Sequence, residues 1–424
     1  MNVLSLFDGM SCGQQALERS GVRVDNYFAS EIDKYAIKVT QANYPKTNQL
    51  GSVIDVDGYS LPKIDLLLGG SPCQSFSFAG KRKGMSTKDE QEILTLEHYL
   101  ELKSEGFEFE GQSYLFWEYM RLLKEVKPKY FLLENVMMGD KWEKILSKAI
   151  GVNPIEINSS LVSAQNRRRL YWTNIGMIPG GLFGDLQSII QQPKDKGILL
   201  KDVIEEEVDD KYFLSKKMID TFTGNSKKME MKGNGFRFSP IKDVEVKTKT
   251  ITTKEGNRMD DNYISTPHDI LDNGKTIGKK IKQINPSLES GGNQPYQQNR
   301  VYDSNGMSPA LCANKSDLLI LDCYNNDLIN DKKIKKREIN VANYRHHFKG
   351  FNGYVDKSPT IKSSLGSGNQ IILNKIRRLT PVECERLQTV KDNYTDCVSD
   401  TQRYKMLGNG WTVDVISHIL NYIK

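Results

Sequence analysis

Cysteine is scarce in this 424-residue chain, and the six present are scattered at 12, 73, 312, 323, 384 and 397. None forms a C-x-x-C pair, and no Cys/His cluster has zinc-ligand spacing. This argues against a disulfide scaffold and a structural metal site, and points to a reducing, cytoplasmic setting. No metal is therefore expected. Long hydrophobic runs are missing too. The apolar stretches are short, Leu66–Leu68 being typical, far below the ~18–20 residues of a membrane span. The opening MNVLSLFDG has no basic n-region and no cleavage site, so no secretory signal is expected. With 38% hydrophobic and 26% charged residues, the composition is too apolar and too even for a disordered or collagen-like chain. The length predicts two domains, with room for a large core.

Net charge is only +6, but it is unevenly placed. Residues 191–375 hold 31 Lys and Arg against 24 Asp and Glu; the remainder holds 28 against 29. A basic module beside a near-neutral one suits one part that grips a polyanion and one that performs chemistry.

Residues 1–176 alternate between strand-like and helix-like patterns. NVLSLF, NYFAS, KIDLLLGG and KYFLLENV read as strands, the last two as near-continuous apolar runs buried on both faces. GQQALERSG, EIDKYAIKVTQANY, 89–104 and 112–126 read as helices, Gly21 closing the first. Residues 155–164 and 169–176 are expected to form a hairpin at the sheet edge. The order predicts an α/β fold, an open, doubly wound, mostly parallel sheet. From about 185 to 375, Gly, Asn, Ser and Lys become frequent and helical periodicity fades. Three weakly repeated hairpin units, at 247–264, 300–321 and 353–373, predict a smaller β-rich domain. Helical patterns return at 380–388 and 411–423, as if the chain rejoined the first domain. The expected division is therefore 1–185 with 376–424, and 186–375.

The first strand runs into FDGMSCG and then a helix, a turn that lets a ligand approach the backbone at a helix N-terminus. Glu31 follows the second strand, where an acid can accept ribose hydroxyls. The G-x-G-x-x-G pattern is missing, which favours a nucleoside such as S-adenosylmethionine over a nicotinamide dinucleotide. Cys73 follows Pro72 at the end of a buried strand. Its polar and basic flanks suggest a reactive thiol rather than a core residue. Glu134, after three apolar residues, could protonate a heterocyclic nitrogen. Arg167 and Arg169, two apart on one strand face, suit an oxygen acceptor or a phosphate, while Arg168 points the other way.

Taken in order, the cofactor turn, Glu31, P-C, E-N-V, Q-x-R-x-R, a variable region, R-L-T-P-x-E-x-x-R-L-Q and a terminal G-N resemble the cytosine-C5 DNA methyltransferase family, in its phage and bacterial form. The resemblance spans essentially the whole chain. It implies a methyltransferase fold with a separate target-recognition domain, S-adenosylmethionine as cofactor and double-stranded DNA as partner. It further implies that Cys73 attacks C6 of a flipped-out cytosine, that Glu134 contacts N3 and the exocyclic amine, and that Arg169 contacts O2 with Arg167 in support. Cofactor contacts are implied at Phe7, Asp8, Gly9, Met10, Ser11, Glu31, Ile32, Ser52, Val53, Pro72, Leu115, Asn409 and Gly410. DNA contacts are implied at Gln74, Ser75, Ser77, Lys81, Arg82 and Lys83. The resemblance also implies a monomer in the cytoplasm of a bacterial or phage-infected cell, near the nucleoid, with a cognate restriction endonuclease as a candidate partner.

Several positions depart from the family pattern. Ser11 and Cys12 stand where many members have Gly. Ser52 stands where an Asp often meets the adenine amine, a role Asp55 could take. Trp411 follows the terminal Gly408-Asn409-Gly410, and 81–112 is longer than a usual catalytic loop. The alternatives are an RNA cytosine-5 methyltransferase, a catalytically inactive DNA-binding relative, and a dinucleotide-dependent oxidoreductase. The basic insertion favours DNA. Intact Cys73, Glu134 and Arg169 argue against an inactive relative, and the oxidoreductase reading leaves P-C, E-N-V and Q-x-R-x-R unexplained.

Overall fold

The computed structural model describes residues 1–72, 85–89, 91–180, 185–233, 235–268 and 369–423, with short strand fragments between 271 and 355. In chain order, the first half contains β1 (Asn2–Leu6), α1 (Cys12–Arg19), β2 (Asn26–Ser30), α2 (Lys34–Asn43), β3 (Asn48–Gln49), β4 (Leu66–Gly69), α3 (Leu96–Ser104), α4 (Phe116–Val126), β5 (Tyr130–Val136), α5 (Asp140–Ile150), β6 (Ile155–Asn158) and β7 (Arg168–Thr173). The seven strands form one sheet in the order β3-β2-β1-β4-β5-β7-β6. All pairs are parallel except those made by β7, which runs antiparallel to both β5 and β6. This is the open, mostly parallel sheet expected, with the predicted hairpin at its edge. The ligand side of such a sheet is the carboxyl end of its strands. The ends of β1, β4 and β5 carry FDGMSCG, SPC and E-N-V.

The apolar runs explain the central strands. Val3, Leu4 and Leu6 of β1, Leu66–Leu68 of β4, and Leu132 and Leu133 of β5 are fully buried. Each such side chain contributes roughly 1.5–3 kcal/mol by leaving water. Helix α4 buries Phe116, Trp117, Tyr119, Met120 and Leu122. The acid in this stripe, Glu118, is also fully buried. It accepts from the Tyr99 hydroxyl at 2.5 Å, Lys103 Nζ at 2.6 Å and Arg121 Nε at 2.7 Å. The described part of the long 81–112 segment is thus neither a bare surface helix nor a loose extension. Met85, Ile93, Leu96, Tyr99 and Leu102 join the main core.

Past the hairpin β8 (Met177–Gly180) and β9 (Asp185–Ser188), a sixteen-residue helix α6 (Lys216–Met231) appears where helical periodicity had seemed to fade. Phe222 is its one buried residue, so its sequence carries almost no apolar stripe. The last helices are α7 (Pro381–Leu387), α8 (Asp400–Asn409) and α9 (Val413–Leu420). R-L-T-P-x-E has a local explanation at α7. Thr380 Oγ1 accepts from Glu383 N, and the Glu383 carboxylate accepts from Thr380 N at 2.8 Å, a reciprocal cap with Pro381 in the first turn.

The chain divides into two compact units: 1–208, 243–262 and 379–424 form one, and 209–242 with 263–378 form the other. The expected boundaries at 185 and 376 therefore move. The expected hairpin at 247–264 is not formed as such, because 248–251 bonds to 164–166 in the first unit. Thr248 N donates to Ala164 O at 2.7 Å, and Asn166 N to Thr248 O at 2.9 Å. The second unit contains a four-stranded antiparallel sheet built from Tyr263–His268, Asn369–Arg378, Asn340–Asn343 and Gly353–Val355. Phe222, Phe238 and Tyr263 form an aromatic triangle with centroids 5.3–5.7 Å apart. The other two hairpin units, at 300–321 and 353–373, fall largely outside the described residues. No helix among the described residues is long and apolar enough to cross a membrane.

One buried ion pair holds the C-terminal helices to each other. Glu385 on α7 is fully buried and accepts from Asn393 N, Thr395 N and Arg403 Nη2 of α8, the last at 3.0 Å. Arg403→Ala leaves that carboxylate buried without its cation. We expect a loss of about 3–5 kcal/mol in stability, read from the unfolding midpoint in denaturant. Arg403→Ala within 1 kcal/mol of wild type would contradict it.

Candidate active site

The turn after β1 is held open by three left-handed residues, Phe7, Gly9 and Ser11, with φ of 58°, 59° and 63°. Glu31 pins it. Its carboxylate accepts from Gly9 N, Ile32 N and Asp33 N, each at 2.8 Å, so one acid ties the β1 turn to the β2 turn. An ionised carboxylate offers about four lone-pair sites. Three are occupied here, so one further hydroxyl fits more readily than the two expected from the sequence. Gly13 is required by close approach, since a Cβ there would lie 2.8 Å from the Tyr27 hydroxyl and 3.0 Å from Leu68 Cδ1.

The expected cofactor residues around this turn divide into two groups. Phe7 and Leu115 are half-buried and pack, with Leu50, on the cluster that contains buried Val53. Ile32 is 70% exposed, and Asn409 is exposed. Ser52 is half-buried, its hydroxyl accepting from Ile54 N at 3.3 Å. The second group is Asp8, Met10 and Ser11, whose side chains are engaged within the fold. Met10 and Ser11 are buried, Met10 O accepting from the Tyr394 hydroxyl at 2.8 Å. The Asp8 carboxyl accepts from the Tyr27 hydroxyl at 2.7 Å, and burial pushes its pKa up to about 6. Burial likewise pushes the Cys12 thiol up to about 12, marking it as a packing residue.

At the ends of β5 and β7, the fold pairs two of the expected chemical residues, Glu134 and Arg169. Asn135 donates to Ser71 O at 3.3 Å and Ser71 Oγ at 3.0 Å, fixing the chain immediately before Pro72 and Cys73. On the opposite face of β5, Glu134 is 8% exposed and pairs with Arg169 Nε at 3.0 Å. The strand register explains the pair, because Val136 lies opposite Arg169 and Glu134 opposite Tyr171, making Glu134 and Arg169 diagonal neighbours. Arg168 faces away and pairs with Glu156 of β6, as expected. Arg167, one residue before β7, is buried. Its guanidinium donates to Gly408 O at 3.3 Å and Gly410 O at 2.9 Å, so it holds the terminal turn. Pro72 is half-buried, while Cys73, Gln74, Ser75, Ser77, Lys81, Arg82 and Lys83 lie outside the described residues.

Against this geometry, the whole chain, residues 1–424, matches the model of the C-5 cytosine-specific DNA methylase family. The chain belongs to that family. It is 28% identical to the orphan methyltransferase M.SPRI of Bacillus phage SPR, across 99% of this chain and 96% of that protein. It is 25% identical to the type II methyltransferase M.BanI of Aneurinibacillus aneurinilyticus, across 96% and 91%. Among solved structures, the Entamoeba histolytica methyltransferase EhMeth superposes with a TM-score of 0.54 at 14% identity, covering 100% of this chain and 97% of that one. Spodoptera frugiperda DNMT2 superposes at 0.51 with 18% identity, covering 99% and 98%. These two share the fold. As a member of this methylase family, the protein is a transferase.

A second acidic site was not anticipated. Glu255 and Asp261, 1% and 4% exposed, lie in the loop that closes 243–262. Burial, reinforced by Asp261, pushes Glu255 up to about 7, and burial raises Asp261 as well. A carboxyl whose folded pKa is raised stabilises the fold at low pH and loses that contribution as pH rises through the folded value. Wild type should therefore lose about 2 kcal/mol more stability than Glu255→Gln between pH 5 and pH 8. Parallel melting profiles of the two proteins across that range would refute this.

Proposed function

We propose that this protein is a DNA cytosine-5 methyltransferase that modifies a flipped-out cytosine within a specific duplex sequence, by transient covalent addition of Cys73 to C6. The carrying observation is the Glu134–Arg169 pair at the ends of β5 and β7, beside a strand end that the Asn135–Ser71 contact fixes two residues before Cys73. The near full-length similarity to phage and bacterial DNA methyltransferases supports DNA as substrate.

The residues present fit S-adenosylmethionine. Phe7, Leu50 and Leu115 would flank the adenine, Glu31 would take a ribose hydroxyl, and exposed Ile32 and Asn409 would close the site. When bound, that cofactor supplies an electrophilic methyl group. The protein's task is to make C5 nucleophilic. The Cys73 thiolate bonds to C6 while Glu134 holds a proton at N3 and Arg169 binds O2. Electron density then gathers at C5 as an enamine. Once C5 is alkylated, a base removes its proton, the 5,6 double bond reforms and the Cys73 thiolate leaves. The base must first leave the helix, at an unstacking cost of a few kcal/mol. The second unit, 209–242 with 263–378, would hold the recognised sequence.

Bisulfite sequencing of DNA from cells expressing the protein tests this reading. The expected result is conversion-resistant cytosines confined to one recurring sequence. Unprotected DNA together with protected RNA would replace DNA with RNA as substrate; protection in neither would overturn the assignment.

A further inference from the structure

Two fully buried glutamines, Gln165 and Gln388, belong to the motifs Q-x-R-x-R and R-L-Q but have no part in the chemistry above. Their amides meet, Gln165 Nε2 lying 3.4 Å from Gln388 Oε1. Gln388 Nε2 donates to Leu407 O at 2.8 Å and Gly410 O at 3.1 Å, and its Oε1 accepts from the Thr412 hydroxyl at 2.8 Å. One side chain thus binds both limbs of the 407–412 turn that presents exposed Asn409. Gln165 Nε2 also donates to Leu387 O at 3.2 Å, and its Oε1 accepts from Ile251 N at 2.8 Å. The turn is further fixed by Arg167 on Gly408 O and Gly410 O. No residue larger than glycine fits at 408, since a Cβ there would lie 2.4 Å from the Thr252 and Thr253 backbone.

We propose that the Gln165–Gln388 amide pair is a positioning device for the cofactor-binding turn, setting Asn409 through hydrogen bonds rather than touching the cofactor. This rests on the reading that S-adenosylmethionine binds beside Asn409. A buried polar side chain with all its donors and acceptors used specifies one arrangement, and an apolar replacement of equal size takes one donor away from both Leu407 O and Gly410 O. Gln388→Met should then weaken a step that needs the turn while sparing the chemistry at Cys73, Glu134 and Arg169.

The test is equilibrium binding of S-adenosylmethionine to purified full-length wild type, Gln388→Met, Gln165→Met and Thr412→Val, with thermal melting of each and steady-state kinetics. Gln388→Met should raise the cofactor Kd and KM about tenfold, equal to about 1.4 kcal/mol. Its kcat and its KM for DNA should stay within about twofold. Gln165→Met and Thr412→Val should give smaller increases, and the Gln165→Met Gln388→Met double variant should fall short of the product of the singles. If Gln388→Met does not fold, Thr412→Val carries the test, with an expected two- to fourfold rise in Kd. Folded variants with cofactor Kd within 1.5-fold of a wild type that binds would overturn the positioning role alone. A wild type that binds no S-adenosylmethionine would overturn the functional reading and this inference with it.

Discussion

Cys73→Ser should reduce methyl transfer by at least about 10³-fold while leaving cofactor binding unchanged. The reason is the nucleophile rather than the fold. A thiol with an ordinary pKa near 8.5 already supplies some thiolate at neutral pH, and sulfur adds readily to an electron-poor ring carbon. A serine hydroxyl is almost the same size but supplies essentially no alkoxide there. Removing a covalent nucleophile from a group-transfer enzyme has effects of this order or larger. Duplex DNA carrying 5-fluorocytosine separates the roles. In the wild type, C5 cannot lose fluorine as it loses a proton, so the protein should remain attached to DNA through denaturing electrophoresis. In Cys73→Ser no such adduct should form, although the DNA is still bound. A serine variant that methylates within tenfold of wild type, or active wild type that forms no adduct, would remove Cys73 from the mechanism.

The central sheet was legible because its signal is local. β1, β4 and β5 are runs of Leu, Val and Phe that bury both faces, and each ends in a polar turn. The features that were not legible depend on partners far away in sequence. α8 packs through Arg403, which is buried only because Glu385 accepts its proton-rich edge. A buried arginine interrupts the apolar periodicity that would have announced the helix. α6 has the converse problem, with a single buried aromatic. The stretch 247–251 reads as half of a hairpin, but Thr248, Thr250 and Ile251 bond to 164–166, some eighty residues earlier, and only Lys249 turns to Asn262.

The site shows the same division. Glu134 was visible as an acid at the end of an apolar strand, and its pairing with Arg169 follows from strand register once the hairpin is known. Arg167 shares the spacing of Arg169, yet its guanidinium donates to the carbonyls of 408 and 410 while Arg169 pairs with Glu134, a difference that spacing alone does not reveal. Gln165 and Gln388 lie in recognisable motifs. Their hydrogen bonds join four segments distant in sequence, at 165, 251, 387–388 and 407–412, which no local motif announces.

Glu134→Gln should lower kcat by about 10²–10³-fold with cofactor Kd within twofold of wild type. Glutamine keeps the shape of the side chain, and its carbonyl oxygen can still accept from Arg169 Nε, which the carboxylate does at 3.0 Å. What it loses is the negative charge opposite the guanidinium and the ability to hold a proton at the pyrimidine N3 as C6 is attacked. Because that proton is needed most when charge builds on the ring, the loss falls on the transition state rather than on ground-state binding. Glu134→Ala should be worse than Glu134→Gln and should also lower the melting temperature, since Arg169, 14% exposed, would be left without its anion. Single-turnover methylation at saturating DNA and cofactor measures the chemical step directly. A Glu134→Gln variant within fivefold of wild type in that assay would reduce the Glu134–Arg169 pair to a structural salt bridge, and the proton at N3 would have to come from solvent.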